Sequence, residues 1–235
     1  MFPNFSSSLP TEVHSLRKLS QSINIDNQLD WGHHIKDLKT SMAKKVKQLQ
    51  RFKSLPSPIL ESIYYKGILP SVTYSISVWG NCSVAKLPHL EKINLSAAKL
   101  TFKLPEIPDS LTGLPSSWKP ISYLYKLKIL CLTHKIFYGV CPEKISSIIK
   151  KSPIFRNMRD NLKLTIESPN TNIGRQSFRH RSAIVWNNIP QWVKNIEDYH
   201  KFKCKLRSRS VAVGNISFND SAFVSNKDST NFKYF

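Results

Sequence analysis

Residues 33–53 read His33-His34-Ile35-Lys36-Asp37-Leu38-Lys39-Thr40-Ser41-Met42-Ala43-Lys44-Lys45-Val46-Lys47-Gln48-Leu49-Gln50-Arg51-Phe52-Lys53, and this stretch decides the fold class. Its apolar residues Ile35, Leu38, Met42, Val46, Leu49 and Phe52 recur at intervals of three or four. That is the period of one helical face, sustained over about five turns. Lys36, Lys44, Lys47 and Arg51 lie off the stripe, while Lys45 and Lys53 border it. Asp30 is placed to cap the start, its carboxylate accepting from backbone N–H groups that the first turn leaves unpaired. The stretch predicts a basic amphipathic helix.

The same period continues downstream. Pro56 and Pro58 end the first helix, and Pro58 suits the first turn of a second. This one runs through Ile59, Leu60, Ile63, Tyr64, Ile68, Leu69, Val72, Ile76 and Trp79. It is apolar nearly all round, which predicts a central place in the core. Pro70 must kink or break it, and Gly80 closes it. Ser83 can cap a third helix carrying Leu87, Leu90, Ile93, Ala97 and Leu100. Residues 104–120, with four prolines and Gly113, predict a loop. A fourth helix spans about 121–138, Cys141-Pro142 opens a short one ending near Lys151, and two more cover about 176–187 and 197–208. Short strands are expected at 22–25 and 162–166, where the period drops to two. The expected class is mainly α, an irregular helical bundle with at most a small β element and flexible termini. Its divisions are a flexible leader over 1–21, a strand and turn over 22–32, a helical bundle over 33–104, a Pro-rich loop over 105–120, a helical region over 121–210 and a disordered tail over 211–235.

Composition narrows the function. The chain has 235 residues, 40% of them hydrophobic, and a net charge of +20. Residues 31–66 carry +6 of this and residues 121–210 carry +13. Positive charge concentrated on a folded scaffold draws polyanions by Coulomb steering and counter-ion release. A solvated basic surface without a partner is the plainer alternative. No apolar stretch is long enough to span a bilayer, and no charged start followed by an apolar run suggests a secretory leader. An intracellular location is therefore expected, with Asn81-Cys82-Ser83 and Asn94-Leu95-Ser96 as chance sequons. Cys82, Cys131, Cys141 and Cys204 stand far apart, without the close pairs that a structural zinc site uses, so buried free thiols are expected and no metal.

Three tryptophan-bearing phrases stand in a fixed order. The first is Leu29-Asp30-Trp31-Gly32-His33-His34-Ile35, following Ile25-Asp26. The second is Leu69-Pro70 with Tyr74 and Trp79-Gly80, preceded by Ile63-Tyr64. The third comprises Phe178, Ala183, Trp186-Asn187, Ile189-Pro190 and then Phe202-Lys203 with Leu206. Phe137, Tyr138, Cys141 and Pro142 lie between the second and third. In this order the phrases resemble the region C-terminal to the palm in reverse transcriptases of non-LTR retrotransposons (LINE-type, Jockey/CR1-like). Gln21-Ser22 stand where that family has Leu-Gly. The resemblance covers about residues 16–210 and implies a palm-edge remnant at 22–32, a thumb-like bundle at 33–104 and a C-terminal helical region.

A thumb grips the backbone of a template–primer duplex, so the resemblance implies RNA or RNA–DNA hybrid as partner, and other parts of a retroelement ribonucleoprotein besides. An RNA-containing duplex is held through phosphates and shape more than through base edges. Lys36, Lys44, Lys47 and Arg51 are the first candidates, with Lys45 and Lys53 behind them. Arg175, Arg179 and Arg181 make a second candidate patch. Trp31, Tyr74, Trp79 and Trp186 read as packing residues rather than base-stacking platforms. Polymerisation needs paired carboxylates for two divalent metals, and the sequence has no Asp-Asp pair. Asp109, Asp160, Asp198 and Asp220 read as solvated or capping, while Asp26 and Asp30 lie in the segment that the resemblance places after the palm, outside its active site. No polymerase activity of this chain alone is expected, and no cofactor. Cys131 and His134, one turn apart on an apolar stripe, read as core residues rather than a catalytic dyad. The other class open to the sequence is a structural or protein-interaction module whose basic helices dock acidic partners.

Overall fold

A computed structural model describes residues 23–25, 31–81, 86–108, 114–115, 117–152, 162–208 and 213. The protein is mainly helical. The elements are α1 (Gly32–Gln50), α2 (Ser57–Ile63), a π-helical turn (Tyr64–Ile68), α3 (Leu69–Thr73), α4 (Ile76–Trp79), α5 (Leu87–Phe102) and α6 (Ile121–Phe137). After these come α7 (Glu143–Ser146), α8 (Asn172–Gln176), α9 (Phe178–Asn187), α10 (Gln191–Lys194) and α11 (Tyr199–Arg207). The leader over 1–21 and the capping roles given to Asp30 and Ser83 lie outside the described residues. The cap position of α1 is held by Trp31, in left-handed backbone at φ 61° with no side-chain cap bond. Val213, within the expected tail, is fully buried.

α1 buries His34, Ile35, Met42, Val46 and Leu49 and packs against α5, the π turn and α3. The predicted second helix is instead broken into four pieces. Pro70 has no N–H to give the carbonyl of Lys66, and in an α turn its ring would collide there. The π turn widens the ladder just upstream, and the N–H of Leu69 reaches back five residues to the carbonyl of Tyr64. A second break comes at Tyr74–Ser75, where Ser75 takes φ 49° and the Trp79 indole donates to the Tyr74 carbonyl at 2.8 Å. These pieces bury one stripe, Leu60, Tyr64, Ile68, Val72, Ile76 and Trp79, and leave Ile59, Tyr74 and Val78 in solvent. Tyr74, expected to pack in the core, is 48% exposed.

The centre of the fold is α6. It buries residues on every side, from Ile121 and Tyr123 to His134 and Phe137. It meets α3, α4 and α5 on one side and α7, α9 and α11 on the other, so the predicted thumb-like and C-terminal regions share one core. Its N-terminus is fixed by Glu91 of α5, whose carboxylate accepts from the N–H groups of Ile121 and Ser122. Gly80 is needed where α4 crosses α6, because a Cβ there would stand 2.5 Å from the Tyr125 ring.

The β element shrinks to an isolated antiparallel bridge between Lys151 and Leu164, and residues 23–25 form no strand. Backbone bonds from residues 150–152 pair one edge of this segment, and side chains satisfy the other. The Trp186 indole donates to the Leu162 carbonyl at 2.7 Å, while the Asn187 amide accepts from the Leu164 N–H and donates to its carbonyl, each at 2.9 Å. The helix expected over 176–187 is divided at Ser177, which caps α9 through its hydroxyl. That expected over 197–208 is α11, capped by Asp198. The one begun at Pro142 ends by Ser146.

Cys131 and His134 are both buried in α6, as expected of core residues. His134 Nε2 sits 2.7 Å from the Ile196 carbonyl and the ring stacks on Phe202 at 4.1 Å. His34 lies edge-on to Trp31 and Trp79. Burial pushes both imidazoles below their usual value of 6.5, against opposing raises from Asp37 at His34 and from the Ile196 carbonyl and Asp198 at His134. The unfolded chain therefore takes up protons near pH 6.5 that the folded chain refuses, and stability falls as pH drops through that value. The urea midpoint should be lower at pH 5.5 than at pH 7.5, and the gap should narrow in His34→Asn. Glu91 acts in the opposite sense, since burial raises its carboxyl and favours the folded state at lower pH, so the wild-type–variant comparison isolates the histidine. Equal gaps in both proteins would refute the assignment.

Candidate nucleic-acid interface

At about 100° per residue, Lys36, Lys44, Lys47 and Arg51 fall within a sector of about 80° on α1, opposite Ile35, Met42, Val46 and Leu49. All four are exposed, and none forms an ion pair with a described residue. The only acid of α1, Asp37, accepts from Asn24 Nδ2 at 2.6 Å. The ridge is thus a row of cations held by a helix whose other side is locked into the core.

The bordering lysines separate. Lys45 is half-buried and donates to the Gly67 carbonyl at 3.3 Å, across the π turn. It holds α1 to that turn and leaves the outward row. Lys53 is exposed just beyond α1 and lines a shallow groove with Lys99 and Lys103 of the α5 end. An adjoining depression, between α1 and α5, is lined by Lys47 and Lys99 over Val46, Ile93, Leu100 and Ile107. Lys99 and Lys103 are therefore interface candidates that sequence reasoning missed. Their i, i+4 spacing was visible, but only the packing of α5 on α1 brings them beside Lys47 and Lys53.

Lys103 also carries backbone strain. It ends α5 in left-handed conformation at φ 54°, with the Leu104 N–H reaching back to the Lys99 carbonyl at 3.0 Å. Glycine is the usual residue at such a helix end. Lys103→Gly should stabilise the fold by about 0.5–1 kcal/mol through relief of that strain. It should also lower the salt slope of duplex binding by about one contact, roughly 0.9. Thermal melts and salt titrations read the two effects separately; unchanged binding would remove Lys103 from the interface.

The structure brings Arg175, Arg179 and Arg181 together but engages them with the protein itself. Arg179 pairs with Glu167 at 3.1 Å, and Glu167 also pairs with Lys150 at 3.0 Å. These cations, Lys150 first, hold the Glu167 carboxyl below the usual carboxylate range. Arg181 Nε donates to the Arg175 carbonyl at 3.1 Å. All three arginines are half-buried, and their work in the fold is to fasten the start of α9.

The tryptophans of the three phrases take core positions. Trp31, His34 and Trp79 form one aromatic group, and Phe137, Trp186 and Phe202 form another, with Phe137 stacked on Trp186 at 5.1 Å. Among the described residues no group of three or more His, Cys, Asp or Glu is arranged to hold a metal, and no helix is long and apolar enough to cross a membrane. No protein-family model, no curated protein and no solved structure matches the chain.

Proposed function

We propose that this chain is a non-polymerising nucleic-acid grip, the counterpart of the region C-terminal to the palm in non-LTR retrotransposon reverse transcriptases, and that it holds RNA or RNA–DNA duplex by its phosphates. The observation that carries the reading is the α1 ridge, where Lys36, Lys44, Lys47 and Arg51 stand exposed without a described acidic partner. Lys53, Lys99 and Lys103 extend the charge toward α5. Phosphate contacts of this kind position a duplex without reading its sequence. Support for the family comes from the order and spacing of the phrases in the sequence. The apolar floor of the α1–α5 groove, with Ile107 50% exposed, favours a second reading in which an acidic amphipathic segment docks there.

Titration of a fluorescent RNA–DNA hybrid at salt concentrations from about 50 to 200 mM tests the proposal. Binding should weaken steeply with salt and be indifferent to sequence. A primed template with Mg²⁺ or Mn²⁺ should show no nucleotide incorporation above a protein-free control. Salt-insensitive binding, or none, would leave the protein-docking reading in front. Incorporation would overturn the non-polymerising assignment.

A further inference from the structure

A second cationic surface lies on α11, distant in sequence from α1. Only Phe202 and Leu206 of this helix are buried. Lys201, Lys203, Lys205 and Arg207 surround the remainder, and none pairs with a described acid. Helical spacing puts Lys203 and Arg207 on the Tyr199 side of the buried stripe, and Lys201 and Lys205 on the other. Aromatic rings flank both sides. Lys135 of α6 sits 4.4 Å over the Tyr199 ring and Lys203 sits 5.9 Å from it. On the other side Lys205 lies 5.2 Å from the Trp192 ring, and Trp192, on the neighbouring α10, remains 47% exposed.

Trp192 therefore offers part of a large flat ring beside the cations, a surface on which a planar group can stack. A duplex offers a phosphate ribbon and needs no ring. A lipid surface needs an apolar helix face, and that of α11 is already spent on the core. Rings set among cations suit an unpaired base with its phosphates.

We propose that the α10–α11 surface binds single-stranded nucleic acid, with a base stacked on Trp192 and phosphates held by Lys201, Lys203, Lys205 and Arg207. Tyr199 forms the opposite edge of the track. Sequence preference is slight, since every base has a π-face. This site is built from α10 and α11 and shares no residue with the α1 ridge.

The test uses the full chain and two labelled probes of equal length, an oligouridine and an abasic sugar-phosphate strand. Oligouridine should bind more tightly. Trp192→Ala should weaken oligouridine binding by about 5- to 100-fold while leaving the abasic strand unchanged, and Trp192→Phe should keep most of the affinity. Replacing Lys203, Lys205 and Arg207 by Gln should flatten the salt slope for both probes by about two. A protein in which Lys36, Lys44, Lys47 and Arg51 are Gln should retain the Trp192 dependence, so failure of the duplex grip and failure of this site are told apart. Circular dichroism confirms folding. Equal affinity for the two probes, or a folded Trp192→Ala that binds oligouridine like wild type, would overturn the proposal, as would an effect of Trp192→Ala confined to acidic peptides or anionic vesicles.

Discussion

Changing Lys36, Lys44, Lys47 and Arg51 together to Gln should flatten the salt dependence of RNA–DNA hybrid binding by about 3–4 units of slope, with little change in stability. Each lost phosphate contact removes about 0.9 from the slope of log affinity against log salt. Over a fourfold rise in salt the wild type should therefore lose roughly 100-fold more affinity than the variant. Glutamine keeps length and helix propensity while removing the charge. The fold should hold, because the four side chains are exposed and Met42, Val46 and Leu49 are untouched. Surface changes of this kind usually cost no more than about 0.5 kcal/mol each. A folded variant with the wild-type slope would show that α1 is not the grip.

Trp186→Ala should produce the largest loss of stability, about 3–5 kcal/mol. The residue is fully buried, stacks on Phe137 at 5.1 Å and tilts against Phe202 at 6.0 Å. Its indole also satisfies the Leu162 carbonyl, which stands outside any sheet. Alanine leaves a cavity and removes that hydrogen bond. Against a total stability of about 5–15 kcal/mol this is a large fraction, and the melting temperature should fall by about 6–20 °C for a chain of this size. Trp186→Phe separates the two causes, restoring most of the volume and losing only the hydrogen bond. The exposed Trp192 serves as control, with a change of at most about 0.5 kcal/mol on truncation. Equal melting temperatures for Trp186→Ala and wild type would contradict the core described here.

The sequence was most legible where one face of a helix meets the core and the other meets water. α1 is such an element: Ile35, Met42, Val46 and Leu49 are buried and Lys36, Lys44, Lys47 and Arg51 exposed as the three-four spacing put them, while Phe52, past the helix end, is 49% exposed. It was least legible where neighbours decide the backbone. Pro70 announced an interruption, but the π turn upstream and the left-handed Ser75 depend on how the pieces seat under α1 and α6. The segment at 162–166 has strand-like alternation, yet it pairs with residues 150–152 through a single bridge, and Trp186 and Asn187 satisfy its other edge. α2–α4 looked apolar nearly all round and α6 was read as carrying one apolar stripe, and only the packing shows α6 to be the central one.

The candidate site divides the same way. Exposed lysines on a clean helical face could be named from spacing alone. Arg175, Arg179 and Arg181 could not be told from a free patch, because their engagements lie with Glu167 and with backbone carbonyls that only the fold brings near. Lys99 and Lys103 joined the interface through the contact of α5 with α1. Trp192 carried no reading from the sequence, and only the fold shows it 47% exposed beside Lys205.

Lysine acylation of the free protein and of its RNA–DNA hybrid complex, read residue by residue by mass spectrometry, tests the central claim most directly. Lys36, Lys44 and Lys47 should be protected by the hybrid, with Lys53 and Lys103 following, while the exposed Lys150 and Lys163 should react alike in both states. Protection confined to other lysines, or equal labelling of the α1 ridge with and without hybrid, would contradict the account.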